Sequence, residues 1–130
     1  MCFLDIQDKS TLCRKGYKSM KLSEVKEILA ANILKGEDYM DRIVLSACGS
    51  DLMSDVLAFV KDQGLLLTGL VNPQVVRTAE MMDIKAIVFV RGKDPGEDIL
   101  ELAEEARIVI MSTEMPLYAA CGKLYNAGLN

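Results

Sequence analysis

Short apolar segments recur at nearly constant spacing along this chain, and this repeat constrains the fold more than any other feature. The segments begin at residues 43, 65, 86 and 108, so successive starts lie 22, 21 and 22 residues apart. Helical spacing of apolar side chains follows each segment. That distance accommodates one strand, one helix and two short loops, which indicates parallel β-α-β units with right-handed crossovers.

The repeat divides into four predicted strand–helix pairs. They are 43–46 with 51–61, 65–68 with 73–82, 86–90 with 97–105, and 108–111 with 114–126. The stretch 33–36 is expected to add a short edge strand. An apolar fraction of 51% suits a sheet that is covered on both faces. We therefore predict an α/β fold, with three α/β/α layers and a mainly parallel sheet of four to five strands.

The first 19 residues lack both the helical and the strand period. They carry four cations against two carboxylates, a balance of +2, which leaves −6 for the rest of a chain whose net charge is −4. Met20 then opens a stretch that reads as a natural start, with Ser23 as the expected helix cap. We interpret residues 1–19 as a disordered extension or a misplaced start, with a regulatory arm as the alternative, and residues 20–130 as one domain.

Composition excludes several classes of function. The chain has no histidine, which removes Ser-His-Asp and Cys-His nucleophiles and the common imidazole zinc sites. Its acidic balance argues against a nucleic-acid partner. No apolar run is long enough to span a membrane, and we expect a cytoplasmic protein. We predict no cofactor, no metal and no catalytic residue.

Ligands of open parallel sheets bind where the strands end at their carboxyl side, so four loops are predicted to form a binding site. These loops are rich in small and hydroxyl residues, and helix N-termini that follow them would suit an anion. Arg91 and Lys93 supply the cations. The predicted ligand-binding residues are Cys48, Gly49, Ser50, Thr68, Gly69, Asn72, Arg91, Lys93, Ser112 and Thr113.

Each of these residues also has a purely structural interpretation. Ser50, Asn72 and Thr113 could serve as ordinary helix caps, the glycines could simply permit tight turns, and residues 91–96 could form a solvated turn. Cys48 follows a predicted strand and could be a reactive thiol, although the four cysteines are expected to be free. Neither G-x-x-x-x-G-K-[ST] nor G-x-G-x-x-G occurs in the chain.

Residues 65–113, LLLTGLVNPQVVRTAEMMDIKAIVFVRGKDPGEDILELAEEARIVIMST, resemble the DRTGG domain. The resemblance extends over about residues 20–128, and Thr68-Gly69 matches the family's T-G-G tract, with Leu70 in place of the second glycine. The family's Asp-Arg pair would fall in the turn at residues 49–55, where this chain has no arginine. DRTGG domains occur in regulatory parts of some pyrophosphatases, and they are similar to the N-terminal domain of HPr kinase/phosphorylase.

The resemblance implies a non-catalytic regulatory or sensory module that forms a homodimer. On this interpretation the four loops would bind a small anionic metabolite, such as a nucleotide or an acyl phosphate. An alternative is a protein-interaction or assembly module for a metabolic or redox enzyme, with no small-molecule ligand. That alternative predicts an exposed apolar patch and no pocket at the strand ends.

Overall fold

Four strands pair in parallel, as the repeat predicts, in a computed structural model that describes residues 19–60 and 63–129. The elements are β1 Met20–Lys21, α1 Leu22–Leu29, β2 Asn32–Lys35, a 3-10 turn Glu37–Tyr39, β3 Ile43–Val44, β4 Ser46–Gly49, α2 Met53–Phe59, β5 Gly64–Thr68, α3 Pro73–Met81, β6 Ala86–Phe89, α4 Glu97–Ala106, β7 Val109–Ser112 and α5 Leu117–Asn126.

The main sheet has five strands in the order β2-β7-β6-β5-β4. Strands β4, β5, β6 and β7 run parallel, and β2 pairs antiparallel with β7 at one edge. The expected edge strand is therefore present, shifted by one residue to Asn32–Lys35. A separate two-stranded sheet joins β1 to β3 in antiparallel register.

Side chains of the central strands alternate between two cores. In β5, Leu65 and Leu67 face the core shared with α1 and α5, whereas Leu66 faces the core shared with α2, α3 and α4. The same alternation holds in β6, where Val88 lies in the first core and Phe89 in the second. Burial on both faces explains why these strands read as unbroken apolar runs, and it confirms the three-layer α/β/α fold.

The first strand of the repeat differs from its prediction. The run 43–46 contributes to two strands, because Ile43 and Val44 pair with β1 and the sheet strand starts only at Ser46. Consequently Cys48 and Gly49, predicted in a loop, lie in β4. An edge strand covered less completely than the centre of the sheet can be built from Ser-Ala-Cys-Gly without an apolar run.

Helix starts also depart from prediction at three places. Helix α1 begins at Leu22, one residue before its expected cap Ser23, and the backbone N–H of Lys21 donates to the Glu24 carboxylate at 2.9 Å. Helix α2 spans Met53–Phe59, so it begins two residues after its predicted start at residue 51. Helix α5 begins at Leu117, three residues after its predicted start, because its N-cap Pro116 is itself extended, with φ −65° and ψ 159°. Residues 1–18 lie outside the described residues, so the domain boundary at residue 19 stays a prediction.

Arg42 ties the small sheet to the large one. Its guanidinium donates to the carbonyl of Arg107 at 2.5 Å and to that of Lys85 at 3.3 Å, and it stacks over the Tyr39 ring at 4.1 Å. One side chain thus satisfies carbonyls at the end of α4 and just before β6. No helix among the described residues has both the length and the apolarity to cross a bilayer.

Replacing Arg42 by alanine should lower the free energy of unfolding by about 1–2 kcal/mol, because both charge-assisted hydrogen bonds are lost. Urea denaturation measures the change. Arg77→Ala, which removes an exposed arginine from α3, is the matched control and should stay within about 0.5 kcal/mol of the wild type. Equal effects from the two variants would contradict the bracing role of Arg42.

Candidate functional site

Parallel pairing places the carboxyl ends of β4, β5, β6 and β7 side by side along one side of the sheet. We call the four loops that follow these strands the rim; they comprise residues 50–52, 69–72, 90–96 and 113–116. Most of the predicted site residues lie on the rim or at the last position of a strand that enters it. Cys48 and Gly49 lie in the edge strand just before the rim begins.

The first two rim loops are joined through Asp51. One oxygen of its carboxylate accepts from the Thr68 hydroxyl at 3.0 Å and from the backbone N–H of Gly69 at 2.7 Å. The same hydroxyl accepts from the N–H of Leu70 at 3.1 Å. Thr68 is fully buried, so its hydroxyl serves to fix this junction and does not reach a ligand.

Asp51 was missing from the predicted site residues. It occupies the turn in which the resemblance places the family's Asp-Arg pair, and that position was the available signal. A carboxylate that follows an edge strand also has the neighbouring loop within reach, because parallel strands end side by side. Sequence alone does not reveal that the Asp51 carboxylate accepts hydrogen bonds from Thr68 and Gly69.

Gly69 lies directly beneath the guanidinium of Arg91. A Cβ on this glycine would collide with the guanidinium nitrogen and approach its central carbon to 3.0 Å, so a larger residue here would displace the end of the Arg91 side chain. Arg91 is exposed, and its side chain makes no hydrogen bond or ion pair within residues 19–60 and 63–129. The guanidinium donors are therefore free to bind an anion at the rim.

The backbone of the Arg91 turn is fixed by the last rim loop. Arg91 and Gly92 adopt left-handed φ values of 59° and 67°. Their N–H groups donate to the carbonyls of Met115 at 2.8 Å and Thr113 at 2.9 Å, and the N–H of Lys93 donates to Val90 at 3.2 Å. This turn offers a ligand its side chains, because its own N–H groups are already bonded.

Ser112 and Thr113 also have structural partners. The Ser112 hydroxyl donates to the carbonyl of Lys93 at 3.2 Å, which leaves the exposed Lys93 amine pointing from a fixed turn. The buried Thr113 hydroxyl donates to the Leu29 carbonyl at 2.7 Å and accepts from the N–H of Met115 at 3.3 Å. Thr113 thus anchors the rim to α1 and does not cap a helix.

The expected helix N-termini contribute little to the rim. Pro73 has no N–H, the N–H of Gln74 donates to the Asn72 side chain at 2.8 Å, and that of Val75 donates to the Asn72 carbonyl at 3.0 Å. Asn72 is therefore a helix cap. Ser50 forms a local turn, in which its hydroxyl accepts from the N–H of Leu52 at 3.0 Å. Arg91 and Lys93, more than the helix ends, are therefore the rim groups with the charge to hold an anion.

Cys48 lies in the edge strand β4, and Cys121 lies in helix α5, which packs on that strand. The Cys121 sulfur lies against the Cα of Gly49, where any larger residue would collide with it. Burial, and to a lesser degree the negative charge of Asp55, raises the pKa of the Cys48 thiol. Burial and then the neighbouring Cys48 raise the pKa of Cys121. Both groups are therefore thiols at neutral pH, which disfavours a nucleophilic role.

Three hollows lie on other parts of the surface. A shallow groove of ≈ 680 Å³ follows the exposed side of α5. Two hollows of ≈ 290 and ≈ 250 Å³ share Arg107 and Ile108, at the opposite end of the parallel strands from the rim. None of these three is lined by a residue of the rim loops. Among the described residues, no three His, Cys, Asp or Glu side chains come together as a metal site.

Comparison with known proteins identifies a family match. The family model described as the DRTGG domain matches residues 24–126. Among solved structures, the chain is similar to the CBS and DRTGG domains of the regulatory region of Clostridium perfringens pyrophosphatase, complexed with its activator diadenosine tetraphosphate. That likeness has a TM-score of 0.68 at 15% identity, and it covers 93% of this chain and 51% of the other. No curated protein matches the sequence.

This chain therefore spans about half the length of the pyrophosphatase regulatory region. At 15% identity the likeness establishes the shared fold. It supports the sequence-based resemblance without assigning the pyrophosphatase's activator to any residue described above.

Replacing Asp51 by alanine should destabilise the domain by about 1–3 kcal/mol, since the buried Thr68 hydroxyl and the Gly69 N–H both lose their acceptor. Asp51→Asn keeps an acceptor oxygen and should cost less. Urea denaturation provides the measurement. Asp94→Ala, an exposed carboxylate in another rim loop, is the control and should be close to neutral. A neutral Asp51→Ala would show that the junction does not depend on this carboxylate.

Cys48 should react with iodoacetamide more slowly at neutral pH than free cysteine, because its raised pKa keeps it protonated. The rate should increase as pH rises beyond the ordinary thiol range. Asp55→Asn should speed the reaction by removing a negative charge, whereas Asp94→Asn should leave it unchanged. Peptide mapping by mass spectrometry separates this cysteine from the others, and a rate above that of free cysteine would contradict the assignment.

Proposed function

This chain belongs to the DRTGG domain family, and on that premise we propose that it is a non-catalytic regulatory module that binds a small anionic ligand at the rim and acts as a homodimer. Family membership supports the regulatory role. The Clostridium perfringens relative is itself a regulatory region that was crystallised with a nucleotide activator. The ligand class proposed for this chain is a nucleotide or another phosphate-bearing metabolite.

One observation carries the ligand proposal: the Arg91 guanidinium lies over Gly69 and has no hydrogen-bond or ion-pair partner within the described residues. Hydrogen bonds hold the backbone of the Arg91–Gly92 turn, and Gly69 leaves room for the guanidinium above it. A planar guanidinium with free donors binds phosphate or carboxylate oxygens in a bidentate manner. Lys93, two residues along the same turn, adds a second positive charge.

Two acidic side chains near the rim limit which anions can bind. Asp51 is exposed at the first rim loop, although one of its oxygens is engaged by Thr68 and Gly69. The Glu114 carboxylate lies beside Gly92, where it would be 2.8 Å from an added Cβ. A ligand with a compact phosphate at Arg91 and an uncharged remainder along the loops would avoid both carboxylates better than a highly charged one.

The protein-interaction alternative also has a specific observation in its favour. The shallow groove on α5 exposes two tyrosines, and the three hollows described above lie away from the rim. A module that assembles with an enzyme and binds no metabolite would have these features. The titration below separates the two functions.

Isothermal titration of the wild type with ATP, ADP, AMP, diadenosine tetraphosphate, acetyl phosphate and inorganic phosphate should identify at least one ligand. Arg91→Ala should weaken its binding about tenfold or more, because a charge-assisted hydrogen bond contributes about 1.5–3 kcal/mol. Added salt should weaken it further. Gly69→Ala should act in the same direction by displacing the guanidinium.

Arg107→Ala is the matched control for this titration. Like Arg91, Arg107 is an exposed arginine with a φ of 59°, but it lies at the end of the parallel strands that is opposite the rim. Its replacement should leave binding unchanged. Absence of heat for every compound, or equal losses in the Arg91 and Arg107 variants, would remove the rim ligand and leave the interaction module.

A further inference from the structure

The outer edge of β4 is not paired with any other strand of the described residues. Strand β4 ends the order of the main sheet, and β5 is its neighbour. The four residues of β4 include no charge and no proline, whereas the strand at the other edge carries Lys35 and a shift in register. Charges and irregular register protect a sheet edge from pairing with a further strand. The edge at β4 lacks both, as expected of an edge that another strand covers.

Strand β1 enters on this side of β4. Backbone groups of successive residues point alternately to the two edges of a strand. The N–H of Leu22 donates to the carbonyl of Arg42 at 2.9 Å, which begins the pairing of β1 with β3. The N–H of Leu45, which has the opposite direction, donates to the carbonyl of Gln63 just before β5, at 3.0 Å. Strands β1 and β5 therefore lie on opposite edges of the segment 42–49.

The chain that precedes β1 is directed along β4 toward the rim. Strands β1 and β3 are antiparallel, with Met20 opposite Val44, so each residue before Met20 corresponds to one residue after Val44. Val44 and Ala47, three positions apart, both pack on the first core. Side chains of a regular strand would return to the same face after two positions, so one extra residue lies between β3 and β4, as in a β-bulge.

From these observations we propose that residues 14–18 add an antiparallel strand to the outer edge of β4. With the extra residue counted, the register of β1 and β3 brings Lys18 opposite Ala47 and Gly16 opposite Gly49. The segment is joined to β1 beside the edge that it covers. Its effective concentration at this edge therefore exceeds that of a second copy of the chain.

Charge favours the same placement. Residues 14–18 carry three cations and no carboxylate, whereas the chain beyond residue 19 has a net charge of −6. The register brings Arg14 beside Asp51, an exposed residue that uses one carboxylate oxygen to bind Thr68 and Gly69. Arg14 then offsets a negative charge that otherwise weakens anion binding at the rim. This consequence rests on the proposed function, whereas the added strand does not.

Amide hydrogen exchange of the full chain, followed by NMR, tests the proposal. The N–H of Ser50 donates to the carbonyl of Leu67 at 3.0 Å, so the N–H groups of Ala47 and Gly49 point to the outer edge by alternation. Both amides should exchange at least about tenfold more slowly than in an unstructured peptide. Unprotected amides at Ala47 and Gly49, beside protected amides in β5, would overturn the proposal.

Lys18→Pro should speed exchange at Ala47 about tenfold, because proline removes the N–H that donates to Ala47 and thereby weakens the pair. Lys18→Ala keeps this N–H, so it is the matched control and should leave exchange slow. The amides of Leu66 and Val88 in the central strands should stay protected in both variants, which shows that the domain remains folded. Protection of Ala47 that survives Lys18→Pro, or that depends on protein concentration as pairing with a second copy would, contradicts the added strand.

Arg14→Glu tests the register of the added strand. It places a second carboxylate beside Asp51 and should speed exchange at Gly49 about twofold to fivefold. Lys9→Glu makes the same change of charge outside the added strand and should leave the rate unchanged. Equal rates in these two variants would overturn the placement of Arg14. A failed ligand titration would leave all of these exchange rates as expected, so failure of the rim ligand and failure of the added strand are distinguishable.

Discussion

The parallel pairing of β5, β6 and β7, buried on both faces, is the constraint from which the rest of the domain follows. Parallel strands cannot be joined by tight turns, so each connection must cross over the sheet through a helix. Apolar side chains on both faces require helices on both sides, which produces the two cores. The shared direction of β4, β5, β6 and β7 gathers their outgoing loops at one end of the strands and thereby creates the rim.

The central strands could be predicted from sequence because a strand that is buried on both faces consists of consecutive apolar residues. Leu65–Leu67 and Ala86–Phe89 are continuous apolar runs, and the structure has them as strands. Strand β4 could not be located in this way, because it is an edge strand of small residues and has no apolar run. The apolar pair just before it belongs to another sheet. Pro116 shows that one residue with a fixed backbone preference can move a helix start that periodicity places earlier.

The rim was predictable in position and less so in chemistry. The four loops do gather at one edge, but their hydroxyl and backbone groups mostly bond one another. Thr68 and Thr113, both expected to meet a ligand, are buried and hold the loops in place. Hydrogen bonds among loops depend on three-dimensional approach, which spacing along the chain does not encode. Asp51 was not predicted for the same reason. Arg91 could be nominated from sequence as a cation of a rim loop, and its role in binding stays a prediction.

The bond from the Thr113 hydroxyl to the Leu29 carbonyl has a consequence for how the domain loses its structure. It joins the loop after the last strand to the end of the first helix, 84 residues earlier, and it is buried. Arg42 makes a comparable connection between the small sheet and the end of α4. Because these ties cross the chain from its beginning to its end, the N-terminal segment cannot detach without exposing polar groups in the last β-α unit. We therefore expect the domain to melt in a single cooperative transition.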